Sequence, residues 1–150
     1  MLNVVGNAWE LINGSKYDGL CLTTNGTVKS NGACVMGRGI ALEAKQKLPG
    51  IDKYLGNSIV TKGNISVHLG SIKDNTQLFS FVVKHNYYEE ADIELIKLSC
   101  LQLMAWINKL DLKAVLLPRP GCGNGKLKWV DVQPIIEPLL DDRVVIVSFK

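Results

Sequence analysis

Three short stretches of the sequence are apolar almost without interruption, and they constrain the fold more than any other feature. They lie within residues 18–25, 113–118 and 143–149. Strands that are apolar on both faces belong in a sheet that helices cover on both sides. Segments with helical spacing lie between them, at 40–48 and 92–110. We therefore predict an α/β fold with three layers, α/β/α, around a central sheet.

The remaining segments add a hairpin and shorter elements to this sheet. Residues 2–5 are a predicted first strand, and residues 64–70 and 77–84 are predicted strands joined by the turn "KDNT". A hairpin beside strands that helices connect makes the sheet mixed. Residues 51–60 are predicted as a short helix or turn, and residues 130–140 as a helix.

Composition favours a globular protein with one domain. Apolar residues make up 47% of the chain and charged residues 21%, which is typical of neither disordered nor fibrous proteins. A chain of 150 residues can bury a full core, so we expect a single domain over residues 1–150. No apolar run approaches the roughly 20 residues of a membrane helix, and the N-terminus lacks the pattern of a signal peptide. We expect a cytoplasmic protein with no membrane association and no obligate protein partner.

The cysteines and histidines do not form a metal-binding pattern. No two cysteines have C-x-x-C spacing, and neither histidine lies near a cysteine in sequence. We therefore expect free thiols, no metal and no cofactor. The net charge of +3 is mild, and no basic block with interleaved aromatic residues predicts sequence-specific nucleic-acid reading. The cysteines are Cys21, Cys34, Cys100 and Cys122.

Two glycine-rich loops each follow a predicted strand. The first has its glycines between Gly32 and Gly39, and the second between Gly121 and Gly125. Ligands of α/β sheets bind beyond the carboxyl ends of strands, where glycines let several N–H groups face one anion and a helix N-terminus adds partial positive charge. Neither loop fits the P-loop or Rossmann pattern. Together the two loops favour a diphosphate ligand. For either loop alone, the alternative interpretation is a tight turn that binds no ligand.

The two loops resemble those of macro domains, and the resemblance covers nearly the entire chain. It rests on "TTNGTVKSNGACVMGRGIALEAKQKLPG" and "LLPRPGCGNGKLKW", in this order. It implies a monomeric macro-domain fold that binds ADP-ribose, with its diphosphate and distal ribose against the glycine loops. The binding residues that it implies are Asn7, Ala8, Val35, Met36, Gly37, Gly39, Ile40, Pro118, Gly121, Cys122, Gly123, Asn124, Gly125 and Phe149.

The resemblance also bears on the roles of four individual residues. Asn25 matches the asparagine that hydrogen-bonds the distal ribose, with a turn residue as the alternative. Asn7 stands where many macro domains have an aspartate that contacts adenine, and an amide can both donate and accept there. Phe149 is expected either to stack on adenine or to pack at the terminus. Cys122 is interpreted as a small loop residue, since no histidine is placed to activate it as a nucleophile.

Lys84 is the sharpest single candidate for catalysis. It ends an apolar strand in "FSFVVKHNYY". Burying a charged amine there costs free energy unless the amine reaches a functional site. The pattern resembles the subgroup of terminal ADP-ribose glycohydrolases and of antitoxins against DNA-ADP-ribosylating toxins. There a lysine attacks or polarises the anomeric carbon of the distal ribose. Lys84 and Asn25 are therefore the catalytic candidates, with a solvent-reaching lysine as the alternative for Lys84.

Neighbouring positions refine this prediction. Gly125 stands where protein-directed members of the subgroup carry an aspartate, which favours DNA adducts over protein esters. Consecutive strand residues face opposite sides, so His85 is not expected to reach the same ligand as Lys84 unless the strand has ended before them. Tyr87 and Tyr88 follow in a loop near the predicted site, where they cover the ribose or pack.

Three functions stay open on the sequence alone. The first is a hydrolase that removes ADP-ribose from a modified macromolecule, with ADP-ribosylated DNA favoured. The second is a phosphatase of ADP-ribose 1″-phosphate, in which Asn25, Lys84 or His85 positions the phosphate. The third is a reader that binds or sequesters ADP-ribose without chemistry. Lys84 favours the first.

Overall fold

The computed structural model describes residues 1–73 and 75–149 of the chain. Six strands form one sheet, and neighbouring strands are parallel except at one edge, where the third strand is antiparallel to the fourth. The prediction of a mixed sheet is thus confirmed. The strands are β1 (Leu2–Val5), β2 (Gly19–Thr24), β3 (His68–Ile72), β4 (Thr76–Val82), β5 (Val115–Pro118) and β6 (Val144–Ser148), in the spatial order β1-β6-β5-β2-β4-β3.

Helices cover both faces of this sheet. The side chains of β2 alternate, so that Leu20 and Leu22 enter one apolar cluster and Cys21 enters the other. Helices α1, α2 and α3 pack with the first cluster, and α4 and α5 with the second. The predicted three-layer α/β/α architecture is confirmed. The helices are α1 (Ala8–Leu11), α2 (Gly39–Lys47), α3 (Ile51–Lys62), α4 (Ile93–Leu110) and α5 (Trp129–Ile136).

The third strand begins later than the sequence predicts. Residues 64–67 are not strand, and β3 starts at His68. Side chains accept the hydrogen bonds of two backbone N–H groups here: Ser66 N–H donates to Gln102 Oε1 at 2.9 Å, and Val67 N–H donates to Ser80 Oγ at 2.9 Å. Since these backbone groups are satisfied by side chains, the segment does not need strand pairing.

Two helices also differ from the prediction. Helix α3 runs for 12 residues rather than forming a short helix or turn, and it ends at Lys62, with Gly63 as its C-cap. The helix predicted over residues 130–140 instead ends at Ile136 and continues as a 3-10 turn, Glu137–Leu139. Pro138 has no N–H to extend the α-helical ladder, which explains this change. None of the helices in the described part of the chain is long and apolar enough to cross a membrane.

Candidate functional site

A cavity of about 700 Å³ opens over the carboxyl edge of the parallel strands. Its lining includes Thr24 at the end of β2, Lys84 just beyond β4, Pro118 at the end of β5 and Ser148 at the end of β6. The volume lies within the roughly 300–1,000 Å³ of small-molecule sites. The sequence predicted a ligand at this edge, and the fold forms a concave surface there.

The cavity brings together every predicted site residue except Asn7 and Ala8. Those two line a second cavity of about 40 Å³. The two cavities share part of their lining, including Ile40 and Phe149, so they lie next to each other. The residues of the large cavity that were predicted are Asn25, Val35, Met36, Gly37, Gly39, Ile40, Lys84, Pro118, Gly121, Cys122, Gly123, Asn124, Gly125 and Phe149.

The two glycine loops approach each other across the cavity. Gly39 has φ 59°, a left-handed conformation that favours glycine, and begins α2. A Cβ at Gly39 would come within 3.8 Å of Asn124 Nδ2. Arg38 precedes the helix without capping it through its side chain. The first N–H groups of α2 therefore have no side-chain cap and face a site suited to an anion.

Asn25 holds the first glycine loop in shape. Its Oδ1 accepts a hydrogen bond from Thr27 N–H at 2.9 Å, and its Nδ2 donates one to the Val35 carbonyl at 2.9 Å. One further amide hydrogen and one oxygen lone pair are left for a ligand. Asn25 therefore lines the cavity and organises the loop beside it.

Lys84 lies between the second glycine loop and the loop formed by residues 85–91, which we call the tyrosine loop. Its Nζ donates hydrogen bonds to the carbonyl oxygens of Tyr87 and Asn124, each at 3.3 Å. Burial, and then the positive charges of Arg38 and Lys126, lower the pKa of Lys84 below its usual value. The amine is thus in the cavity, and a larger share of it is neutral than for a lysine in water.

Gly125 leaves no room for a side chain. A Cβ there would lie 2.9 Å from the Cβ of Ala91, which is itself buried. The Gly125 carbonyl also accepts a hydrogen bond from Ala91 N–H at 3.0 Å. The tyrosine loop and the second glycine loop are therefore packed directly against each other, and an aspartate at position 125 does not fit this arrangement.

The small cavity is formed by Asn7, Ala8 and their neighbours. Asn7 caps α1: its Oδ1 accepts hydrogen bonds from Trp9 N–H at 2.9 Å and from Glu10 N–H at 3.2 Å. The cap occupies the amide oxygen, so the amide hydrogens are what Asn7 can offer to a ligand. Phe149 borders both cavities and is 76% exposed. Its exposure favours contact with a ligand over a packing role.

Two further candidates do not contribute a reactive group. Burial raises the pKa of the Cys122 thiol, so little thiolate is present at neutral pH. His85 is outside the lining of both cavities, and its Nε2 hydrogen-bonds Asp92 Oδ2 at 2.8 Å. Within residues 1–73 and 75–149, no three His, Cys, Asp or Glu side chains cluster as metal ligands.

Sequence reasoning missed Arg119, which also lines the cavity. Its guanidinium carbon lies 5.1 Å from the centre of the Trp129 ring, and its Nε is buried without a hydrogen-bond partner among the described residues. Stacking on Trp129 fixes the guanidinium beside the second glycine loop. An arginine between the strand-ending Pro118 and a glycine cluster was the signal that could have indicated it.

Curated relatives of this chain are glycohydrolases by name. A DNA ADP-ribosyl glycohydrolase of Thermus aquaticus is 29% identical over 114 residues, 71% of this chain and 31% of that protein. The ADP-ribose glycohydrolase OARD1 of Bos taurus is 27% identical over 108 residues, 72% of this chain and 68% of that protein. The chain spans about a third of the length of the DNA-directed relatives that it matches. No family model matches it.

Solved structures have the same fold. The macrodomain of Mycobacterium tuberculosis DarG is 24% identical, with a TM-score of 0.76 over 98% of this chain and 97% of that chain. Thermosipho africanus DarTG in complex with ADP-ribose is 21% identical, with a TM-score of 0.70 over 89% of this chain and 38% of that chain. The chain has the macro-domain fold, and its curated relatives include DNA ADP-ribosyl glycohydrolases and an ADP-ribose glycohydrolase.

Proposed function

We propose that this macro domain binds ADP-ribose and hydrolyses the bond between its distal ribose and a modified macromolecule. The position of Lys84 carries the proposal: its amine lies in the cavity between the second glycine loop and the tyrosine loop. The glycine loops are suited to the diphosphate. Asn25 is suited to the distal ribose, and Asn7 and Phe149, which line the adjacent small cavity, are suited to adenine.

The chemistry that we propose for Lys84 starts from a neutral amine. A lysine amine attacks the anomeric carbon of an opened ribose only when it carries no proton. Burial and two neighbouring cations increase the neutral fraction. Attack forms a bond between Lys84 Nζ and the anomeric carbon and breaks the bond from that carbon to the modified base, which leaves with the bonding electron pair and takes up the proton that the amine loses. Water then hydrolyses the lysine adduct, which releases ADP-ribose and regenerates the amine. A protonated Lys84 that polarises the anomeric centre is the other form of the same proposal.

DNA adducts are the substrates that we favour over protein esters. Relatives from Thermus aquaticus and Mycobacterium bovis are named DNA ADP-ribosyl glycohydrolases. Gly125 gives a second reason, because the aspartate that protein-directed members carry is absent and a Cβ at this position would meet Ala91 at 2.9 Å.

A comparison of three substrates tests the proposal. Wild-type protein is incubated with an ADP-ribosylated single-stranded oligonucleotide, with ADP-ribosylated protein and with ADP-ribose 1″-phosphate. Products are measured by mass spectrometry, and ADP-ribose affinity by calorimetry. We expect release of ADP-ribose from the oligonucleotide. Consumption of the 1″-phosphate alone would make the protein a phosphatase, and tight binding without turnover would make it a reader.

A further inference from the structure

Two tyrosines stand exposed at the mouth of the cavity. Tyr87 lines the cavity and is 52% exposed, and Tyr88 is 72% exposed. Their rings pack edge to face, with centroids 5.4 Å apart at 88°. The contact joins the two rings into one exposed aromatic surface, next to Lys84.

The tyrosine loop is held firmly in this position. Tyr87 N–H donates to Thr27 Oγ1 at 3.0 Å, which ties the loop to the first glycine loop. The Tyr87 carbonyl accepts from Lys84 Nζ at 3.3 Å. Asn86 Nδ2 donates to Glu89 Oε1 at 2.8 Å within the loop. Because the backbone is fixed on both sides of the rings, a partner that stacks on them does not have to order the loop first.

Charges around the mouth are divided between its two parts. Arg38 and Lys126, from the ends of the two glycine loops, have no ion-pair partner within the described residues. The positive charges of both lower the pKa of Lys84. The tyrosine loop instead carries Glu89 and Glu90, which are exposed. A phosphate is therefore attracted to the glycine-loop side and repelled from the tyrosine loop. The tyrosine loop is instead suited to an uncharged ring of the ligand.

We propose that Tyr87 and Tyr88 stack on the base next to the ADP-ribosylated nucleotide, while Arg38 and Lys126 bind the neighbouring phosphates. This inference rests on the proposed function and names the part of the substrate outside the ADP-ribose. Aromatic side chains stack on bases of any sequence, and cations follow the backbone, which is how single strands are bound. A base in a duplex is already stacked, so the substrate that fits is single-stranded.

Binding of an unmodified oligonucleotide tests the inference without requiring hydrolysis. A fluorescent single-stranded 12-mer of mixed sequence is titrated with wild type, Tyr88→Ala, Tyr88→Phe and the matched control Tyr54→Ala, whose exposed tyrosine lies on α3. We expect Tyr88→Ala to weaken binding roughly fivefold or more, and Tyr88→Phe and Tyr54→Ala to bind as wild type. Thermal unfolding checks that the variants are folded.

Salt dependence separates stacking from phosphate binding. For single strands, the slope of log K against log salt changes by about 0.7 for each phosphate that the protein no longer neutralises. Lys126→Gln should reduce the slope by about that much, and Tyr88→Ala should keep the slope of wild type. Equal affinity of Tyr88→Ala and wild type, equal affinity for a duplex, or no oligonucleotide binding at all would overturn the inference.

The same variants distinguish this inference from the proposed function. If wild type releases ADP-ribose from DNA but Tyr88→Ala binds oligonucleotide normally, only the inference fails. If oligonucleotide binding follows the expected pattern but no linkage is cut, only the proposed function fails. If ADP-ribosylated protein is the better substrate and Tyr88→Ala slows its turnover, the surface serves a polypeptide and the inference is wrong.

Discussion

Lys84 Nζ donates a hydrogen bond to the Asn124 carbonyl at 3.3 Å and so joins the end of β4 to the second glycine loop. This distance is at the long end for such bonds. A ligand can therefore displace the amine from the carbonyl at small cost. This position keeps the amine among the residues that line the cavity, beside the second glycine loop.

The pH dependence of hydrolysis should report the ionisation of Lys84. If the neutral amine attacks, the rate rises with pH through the pKa of Lys84, which lies below the usual value for lysine. A nearby cation disfavours the ammonium, so removing one raises this pKa. We expect Lys126→Gln to move the inflection of the pH–rate profile to higher pH. Lys113→Gln, a distant exposed control, should leave it in place; an unmoved inflection in Lys126→Gln would contradict this.

Gly125→Ala should destabilise the protein through a steric clash. The new Cβ would lie 2.9 Å from Ala91 Cβ in a buried environment, and overpacking of this kind costs about 1–3 kcal/mol in the free energy of unfolding. Denaturant unfolding measures the destabilisation. Adding Ala91→Gly removes the opposing carbon and should recover part of it. Strictly additive effects of the two substitutions would show that the clash is not the cause.

Asn25→Ala should weaken both ligand binding and the first glycine loop. The substitution removes hydrogen bonds to Thr27 N–H and to the Val35 carbonyl. We expect a decrease of about 1–3 kcal/mol in the free energy of unfolding, together with weaker ADP-ribose binding by calorimetry. Unchanged stability with unchanged affinity would be incompatible with the role that we give to Asn25.

Phe149→Ala tests whether the exposed ring binds adenine. Because the side chain is 76% exposed, its removal should hardly change stability. Removing an aromatic stacking interaction of about 0.5–1.5 kcal/mol should weaken ADP-ribose binding roughly two- to tenfold. Binding of ribose 5-phosphate, which has no adenine, should be unaffected. Val130→Ala, equally exposed on α5, is the control, and weaker binding of both ligands by Phe149→Ala would indicate a structural effect instead.

Much of the fold could be predicted because its signals are local. The continuous apolar runs that became β2, β5 and β6 require cover on both faces, and this alone implies three layers. The start of β3 could not be predicted, since the bonds that replace its ladder come from Gln102 and Ser80, distant in sequence. Periodicity carries no information about such interactions.

In the site, too, residues marked by a local sequence pattern could be predicted, and residues that depend on packing between distant segments could not. The glycine clusters and Lys84 stand out in the sequence because a glycine cluster after a strand and a lysine at the end of an apolar strand are unusual. Arg119 did not stand out, because what marks it as a candidate is its contact with the Trp129 ring and its buried Nε. Neither can be read from the sequence. The closeness of Gly125 to Ala91 likewise follows only from the packing of two loops.

Release of ADP-ribose from an ADP-ribosylated single-stranded oligonucleotide by wild type, Lys84→Ala and Lys84→Arg tests the central claim most directly. Calorimetry with ADP-ribose confirms that each variant still binds. We expect turnover by wild type and a decrease of roughly a hundredfold or more in Lys84→Ala. Arginine never becomes neutral, so Lys84→Arg should recover activity only if the cation polarises the ribose. Turnover by Lys84→Ala at the wild-type rate would contradict the account.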